Sequence, residues 1–106
     1  KIDEGKFKYI LARISDGAQS KIIVRGLRGR KYHMNIYEEL KAEGEVVGVE
    51  VIPLGGGRIE HDASQGEISI YGYSSAFGTA VHEVTAVLCQ RFFPFYERIK
   101  ISYAGY

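Results

Sequence analysis

Glycine cuts this chain into short segments. Thirteen glycines are spread along it, against only two prolines, Pro53 and Pro94. Phe7 to Ile14 is rich in aromatic and branched residues and reads as a strand. Asp16-Gly17 makes a turn, and Lys21 to Arg25 is a second strand, stopped by Gly26 and Gly29. His33, Ile36, Tyr37 and Leu40 follow helical spacing, which predicts a first helix from about Arg30 to Glu43. Gly44 suits the position just past its end. Val46 to Ile52 is almost continuously apolar, as in a central strand covered on both faces, and Pro53 closes it. Arg58 to His61 and Glu67 to Tyr73 read as two strands of a hairpin. Tyr73 to Gly78 is a small-residue loop that feeds a second helix from about Thr79 to Arg91. Pro94 prevents further helix, and Tyr96 to Tyr103 is a last strand. The predicted order is β-β-α-β-β-β-α-β. It implies an α+β fold in which a mixed sheet of about six strands is covered by two helices.

The chain has 106 residues, the size of one domain spanning 1–106. It has no repeat and no low-complexity tract. Its formal charge of +1 argues against a general polyanion binder, although a local basic pocket is compatible with it. The absence of a long apolar run excludes a helical membrane span. Lys1, Asp3, Glu4, Lys6 and Lys8 interrupt any signal-peptide core. Cys89 is the only cysteine, which rules out an internal disulfide and a thiolate zinc site. A reduced, cytoplasmic setting and a monomeric state are expected.

His33 is the most informative of the three histidines. It stands in the first turn of the first predicted helix, where an added positive charge is disfavoured. A neutral histidine there suits a general base or a nucleophile. The same position suits a core-edge histidine satisfied by a backbone hydrogen bond. His61 and His82 are weaker candidates, and no metal-binding spacing accompanies them. Ser74 to Thr79 leads into the second predicted helix, whose free N–H groups would favour an anion, or which Ser or Thr would simply cap. Gly55-Gly56-Gly57-Arg58 either wraps an anion or connects two strands. Lys8, Arg25 and Arg58 lie in or beside apolar strands. They either reach out to water or converge as an oxyanion clamp. Ser74 and Ser75 lack a nucleophile-elbow setting.

Several stretches occur together and in order. They are Phe7-Lys8-Tyr9, Ser20-Lys21-x-Ile23-Val24-Arg25-Gly26, Tyr32-His33-x-x-Ile36-Tyr37, and Leu54-Gly55-Gly56-Gly57-Arg58-Ile59 followed by His61. Tyr71-Gly72-Tyr73-Ser74-x-Ala76-Phe77-Gly78 follows, and Ala104-Gly105-Tyr106 ends the chain. This pattern resembles the phosphohistidine phosphatase (Janus/Ocnus) family over nearly the whole length. The resemblance implies a metal-independent, cofactor-free enzyme that cleaves the P–N bond of phosphohistidine in proteins, and in some members of phospholysine. It implies His33 as the catalytic residue and Lys8 as a substrate-binding residue. It also implies a phosphate-holding loop at Ser74, Ser75 and Ala76, with Arg25 and Arg58 as pocket arginines. The sequence departs from animal members in three ways. The first turn is shorter, Ser75 replaces a methionine, and Arg28 and Arg30 precede the helix where those members carry other residues.

Two other functions suit parts of the pattern. The same residues would make a module that binds a phosphorylated residue without turnover. Arg28, Arg30, Lys31 and nearby tyrosines offer a nucleic-acid contact. The balanced charge gives that reading little support, and phosphohistidine-bearing proteins, not nucleic acid or membrane, are the expected partners.

Overall fold

The aromatic and branched run from Gly5 to Ser15 forms strand β1, and Ser20–Leu27 forms β2 beside it. A computed structural model of the chain describes residues 2–104. The remaining elements are α1 (His33–Val47), β3 (Glu50–Asp62), β4 (Glu67–Tyr71), α2 (His82–Phe92) and β5 (Arg98–Ile101). They make the expected α+β fold, with one mixed sheet ordered β2-β1-β3-β4-β5. All neighbours are antiparallel except β4 and β5, which are parallel. Gly105 and Tyr106, which close the family-like pattern, lie outside the described residues, as does Lys1.

Side chains alternate across the sheet. Tyr9 and Leu11 point to the face covered by α2, where they join Phe7, Val24, Ile59, Ile68 and Cys89. Ile10 and Ala12 point to the opposite face, where Ile36 and Leu40 of α1 join Leu27 and Val51. The helices therefore cover opposite faces of the central strands. No helix among the described residues is long and apolar enough to cross a membrane.

The sheet has five strands where sequence pattern suggests about six, because two expected strands are one. β3 runs unbroken from Glu50 through Pro53 and the glycine triplet to Asp62. Pro53 is tolerated for two local reasons. The register against β1 slips between Leu11 and Ala12, and β4 pairs only with Arg58–Asp62, so it is not alongside Pro53.

The start of β3 also shifts. Val46 and Val47 belong to the last turn of α1 and are exposed. The helix stop is Gly48, at φ 71°, rather than Gly44. Gly44 is instead a contact residue. A Cβ there would lie 2.5 Å from the Val49 carbonyl oxygen, so the glycine lets helix and strand approach closely.

Candidate active site

The amino end of α1 brings His33 onto the middle of β3. Tyr32, before the helix, is extended at φ −129° and ψ 151°. Its N–H donates to Asn35 Oδ1 at 3.0 Å, which fixes where the helix starts. His33 is the first helical residue and is 4% exposed. Its ring lies against Gly56, where an added Cβ would come within 2.8 Å of His33 Cδ2 and 3.0 Å of Ser74 Cβ. The glycine at this position is thus required by close approach.

His33 Nε2 is 2.9 Å from the Gly57 carbonyl oxygen. A carbonyl only accepts, so Nε2 carries the proton and donates it. In the neutral ring Nδ1 is then the nitrogen with the free lone pair. Burial lowers the pKa of His33 below its ordinary value, and the charges of Lys8 and Arg58 lower it further. The bond to Gly57 opposes them. The ring is therefore held neutral, in one tautomer and one orientation. The backbone hydrogen bond expected of a core-edge histidine is present, and it leaves the other ring nitrogen with its lone pair.

Lys8 and Arg58 face each other across β1 and β3, on the face that α1 covers. Lys8, Tyr32, His33, Met34, Ser75 and Ala76 line one pocket of about 190 Å³. Ser75 and Ala76 come from the loop after β4. That loop closes on itself through Ser74 N–H to Gly78 O at 3.1 Å and Gly78 N–H to Ser74 O at 2.8 Å. Ser74 Oγ accepts from Phe77 N–H at 3.0 Å, and Gly56 N–H donates to Gly78 O at 3.0 Å. These bonds pin the loop to the strand under His33. Among the described residues, the N–H groups of Ser75 and Ala76 have no protein acceptor.

Some expected features move. α2 starts at His82, so the Ser74–Ala76 amides are loop amides and not the end of a helix. The helix end at the pocket belongs to α1. Ser74 is 2% exposed and holds the loop together from inside. Arg25 is also on the α1 face, but its guanidinium donates to Glu43 at 2.8 Å and does not line the pocket. The glycine triplet lies within β3 and does not connect two strands. It is the floor on which histidine rings rest.

His82 and His61 are internal bonding residues. His82 Nε2–H donates to the Gly72 carbonyl at 3.0 Å, so Nδ1 accepts from the Tyr9 hydroxyl at 2.6 Å. Thr85 donates to the same hydroxyl at 3.0 Å. Burial lowers the pKa of His82 and raises that of Tyr9. His61 bridges the Asp3 carbonyl and the Tyr96 hydroxyl. Among the described residues, no three His, Cys, Asp or Glu side chains gather as a ligand set. Cys89 is buried, and burial pushes its thiol pKa up to about 11, which suits packing and not nucleophilic attack. Tyr32 and Met34 are pocket residues that sequence reasoning misses. Tyr32 stands in the family-like pattern without a role, and the signal for Met34 is its adjacency to His33.

Fold and pocket define a class: a small α+β domain that sets one neutral histidine among cations and open amides. The chain belongs to the Janus/Ocnus family, whose sequence model matches residues 1–97. It is 37% identical over 101 residues to the human protein named 14 kDa phosphohistidine phosphatase, covering 89% of this chain and 81% of that one. The pig protein of the same name is 35% identical over 97% of this chain and 79% of its own length. The sex-regulated protein janus-A of Drosophila melanogaster is 36% identical, with 97% and 76% covered.

Proposed function

We propose that this protein is a phosphohistidine phosphatase that hydrolyses the P–N bond of phosphohistidine in other proteins without a metal ion. The observation that carries this reading is the His33 Nε2–H bond to Gly57, which leaves Nδ1 as a basic nitrogen in a pocket shared with Lys8 and the Ser75–Ala76 amides. The names of the human and pig relatives support the same activity.

In this reading Lys8 and the two amides neutralise the phosphoryl oxygens, and Arg58, paired with Lys8 across β1 and β3 but outside the pocket lining, adds its charge from beside them. Transfer of a phosphoryl group asks mainly for positioning and charge stabilisation, and the pocket supplies both. His33 Nδ1 takes a proton from an attacking water as the water oxygen bonds to phosphorus. The P–N bond breaks, and its electron pair leaves with the substrate imidazole, which departs neutral when its other nitrogen is protonated. Alternatively Nδ1 bonds to phosphorus itself and passes the phosphoryl group to water in a second step. Arg25 acts in neither version by contact with the pocket. Through its bond to Glu43 it joins β2 to α1.

The test is phosphate release from a phosphohistidine-bearing protein, with and without chelator. We expect chelator to leave the rate unchanged, and His33→Ala to lower kcat by about 10²–10⁴-fold. Full activity in that variant would remove His33 from the reaction. Tight binding of a phosphopeptide with no turnover by the wild type would point instead to a phospho-residue reader. Rapid quenching distinguishes the two roles of His33, since only the nucleophile leaves a phosphorylated enzyme.

A further inference from the structure

The pocket at His33 is polar within and apolar at its mouth. In the proposed reaction Lys8, His33 Nδ1 and the Ser75 and Ala76 amides serve the phosphoryl group. Tyr32 and Met34 are the large apolar residues of the same lining. They flank His33 in the chain and are 58% and 39% exposed, so both stand at the mouth and not beneath it. The pocket volume of about 190 Å³ is below the roughly 300–1,000 Å³ of sites that enclose a whole small molecule. It takes the phosphoryl group, and whatever carries that group meets the mouth.

Met34 has no other part in the fold. The buried stripe of α1 is His33, Ile36, Leu40 and Gly44, and Met34 belongs to neither apolar cluster. It is the only methionine in the chain. Its position would ordinarily suit another residue type. The first turn of a helix favours Asp or Glu, because its free amides and the helix dipole are positive there. The first turn of α1 holds no acidic residue. A carboxylate at position 34 would line the pocket and repel a phosphoryl group. A thioether leaves the mouth uncharged, and its polarizable sulfur makes favourable contacts with aromatic rings. Tyr32 adds an aromatic surface beside it. Its backbone is held by Asn35 at 3.0 Å, and Lys31 Nζ lies 5.4 Å from its ring centroid.

We propose that Met34, with Tyr32, is a specificity-determining residue that selects a phosphoryl group carried on an imidazole ring over one carried on a straight amine such as a lysine side chain. This rests on the reading of the site as a phosphohistidine phosphatase. The substrate ring lies against the Met34 thioether and Tyr32, while its phosphoryl group occupies the cationic end of the pocket. A lysine chain brings methylenes to the mouth but no aromatic face, so it forgoes the sulfur–aromatic contact. One such contact is worth a factor of about two to ten in affinity.

The test compares phosphate release from a protein phosphorylated on histidine and from polylysine phosphorylated on its amines. In Met34→Ala the ratio of kcat/KM for the histidine substrate over the lysine substrate should fall about two- to tenfold, chiefly through KM. Met34→Leu restores apolar bulk without sulfur and should keep more of the ratio than Met34→Ala. Met34 is exposed, and alanine and leucine are good helix formers, so circular dichroism should show folded variants. A loss shared equally by the two substrates, or an unchanged ratio, overturns the proposal. A second measurement is independent of turnover. It reads, by anisotropy, the binding of two labelled peptides, one with a phosphonate on a triazole ring and one with a phosphonate on a butyl chain. The wild type should bind the ring-borne phosphonate more tightly, and Met34→Ala should narrow the difference. If the wild type releases phosphate from neither substrate yet shows this preference, the proposed reaction fails and the specificity stands. If it binds both peptides equally, the specificity fails whether or not the reaction holds.

Discussion

His33 is acted on from three directions, and the directions can be separated experimentally. Burial and the two cations push its pKa down, while Gly57 pulls it up. Activity that needs a neutral Nδ1 should persist to a pH below the ordinary histidine value of 6.5. The acidic limb of kcat/KM is therefore expected below that value. In Lys8→Met one of the charges that lowers the pKa is gone, so the midpoint of His33 should rise, whatever happens to substrate affinity. An NMR titration of the His33 ring in both proteins checks this, and an identical midpoint would separate Lys8 from the histidine. Gly56 acts on the same ring sterically. In Gly56→Ala the new methyl meets Tyr9 O at 2.7 Å and His33 Cδ2 at 2.8 Å. Overpacking of this kind costs about 1–3 kcal/mol. We expect a lower thermal midpoint together with a lower kcat, measured by calorimetry and turnover on one preparation.

At the scale of elements, β3 is the organising piece, and its neighbours hold it from both faces. The Gly57 Cα approaches His82 so closely that an added Cβ would lie 2.7 Å from His82 Cε1, while the Gly57 carbonyl holds His33. Tyr9 ties β1 to α2 through His82 and Thr85. Tyr9→Phe leaves the buried Nδ1 of His82 without its donor, which costs about 1–3 kcal/mol by urea unfolding. A double-mutant cycle with Thr85→Val isolates the Thr85 share. This level also shows what the sequence makes legible. The strands β1 and β2, the start of α1 and the body of α2 follow from side-chain periodicity, which records which face is buried. The continuity of β3 does not, because proline and three glycines normally signal a break. Here Gly56 and Gly57 answer to rings that arrive from residues 23 or more positions away, and Gly55 to the backbone at Ala80. The end of α1 is ambiguous for a related reason. Gly44 and Gly48 look alike in sequence, and only one has a left-handed φ. Lys8, His33, Ser75 and Ala76 are identifiable as pocket residues from the family-like pattern. Arg25 belongs to the same pattern, yet Glu43 holds it elsewhere, a pairing that only the approach of α1 to β2 creates.

For the whole molecule, the notable symmetry is that both helices begin with a histidine. His33 opens α1 and His82 opens α2, and their rings meet Gly56 and Gly57 from opposite sides of the sheet. Both are buried, and burial lowers both pKa values below 6.5. The sign of the stability effect follows. Below 6.5 the unfolded chain binds protons that the folded chain refuses, so acid favours unfolding. The stability from these neutral histidines is fully present above 6.5 and is lost as pH falls from there through their folded-state values. Within that window each contributes a slope of up to about 1.4 kcal/mol per pH unit. Asp16, Glu39, Asp62 and Glu83 also have lowered pKa values, from ordinary values of 3.8 to 4.5, so their effect begins at lower pH. Urea midpoints measured between pH 7.5 and 5.0 therefore read mainly the two histidines. We expect the midpoint to fall steadily over that range. His33→Asn should remove about half of the slope and leave the rest to His82, whose own bonds run to Gly72 and Tyr9. A flat profile in the wild type would mean that one or both rings bind a proton in the folded state. It would then remove the basis for a neutral Nδ1 in the pocket.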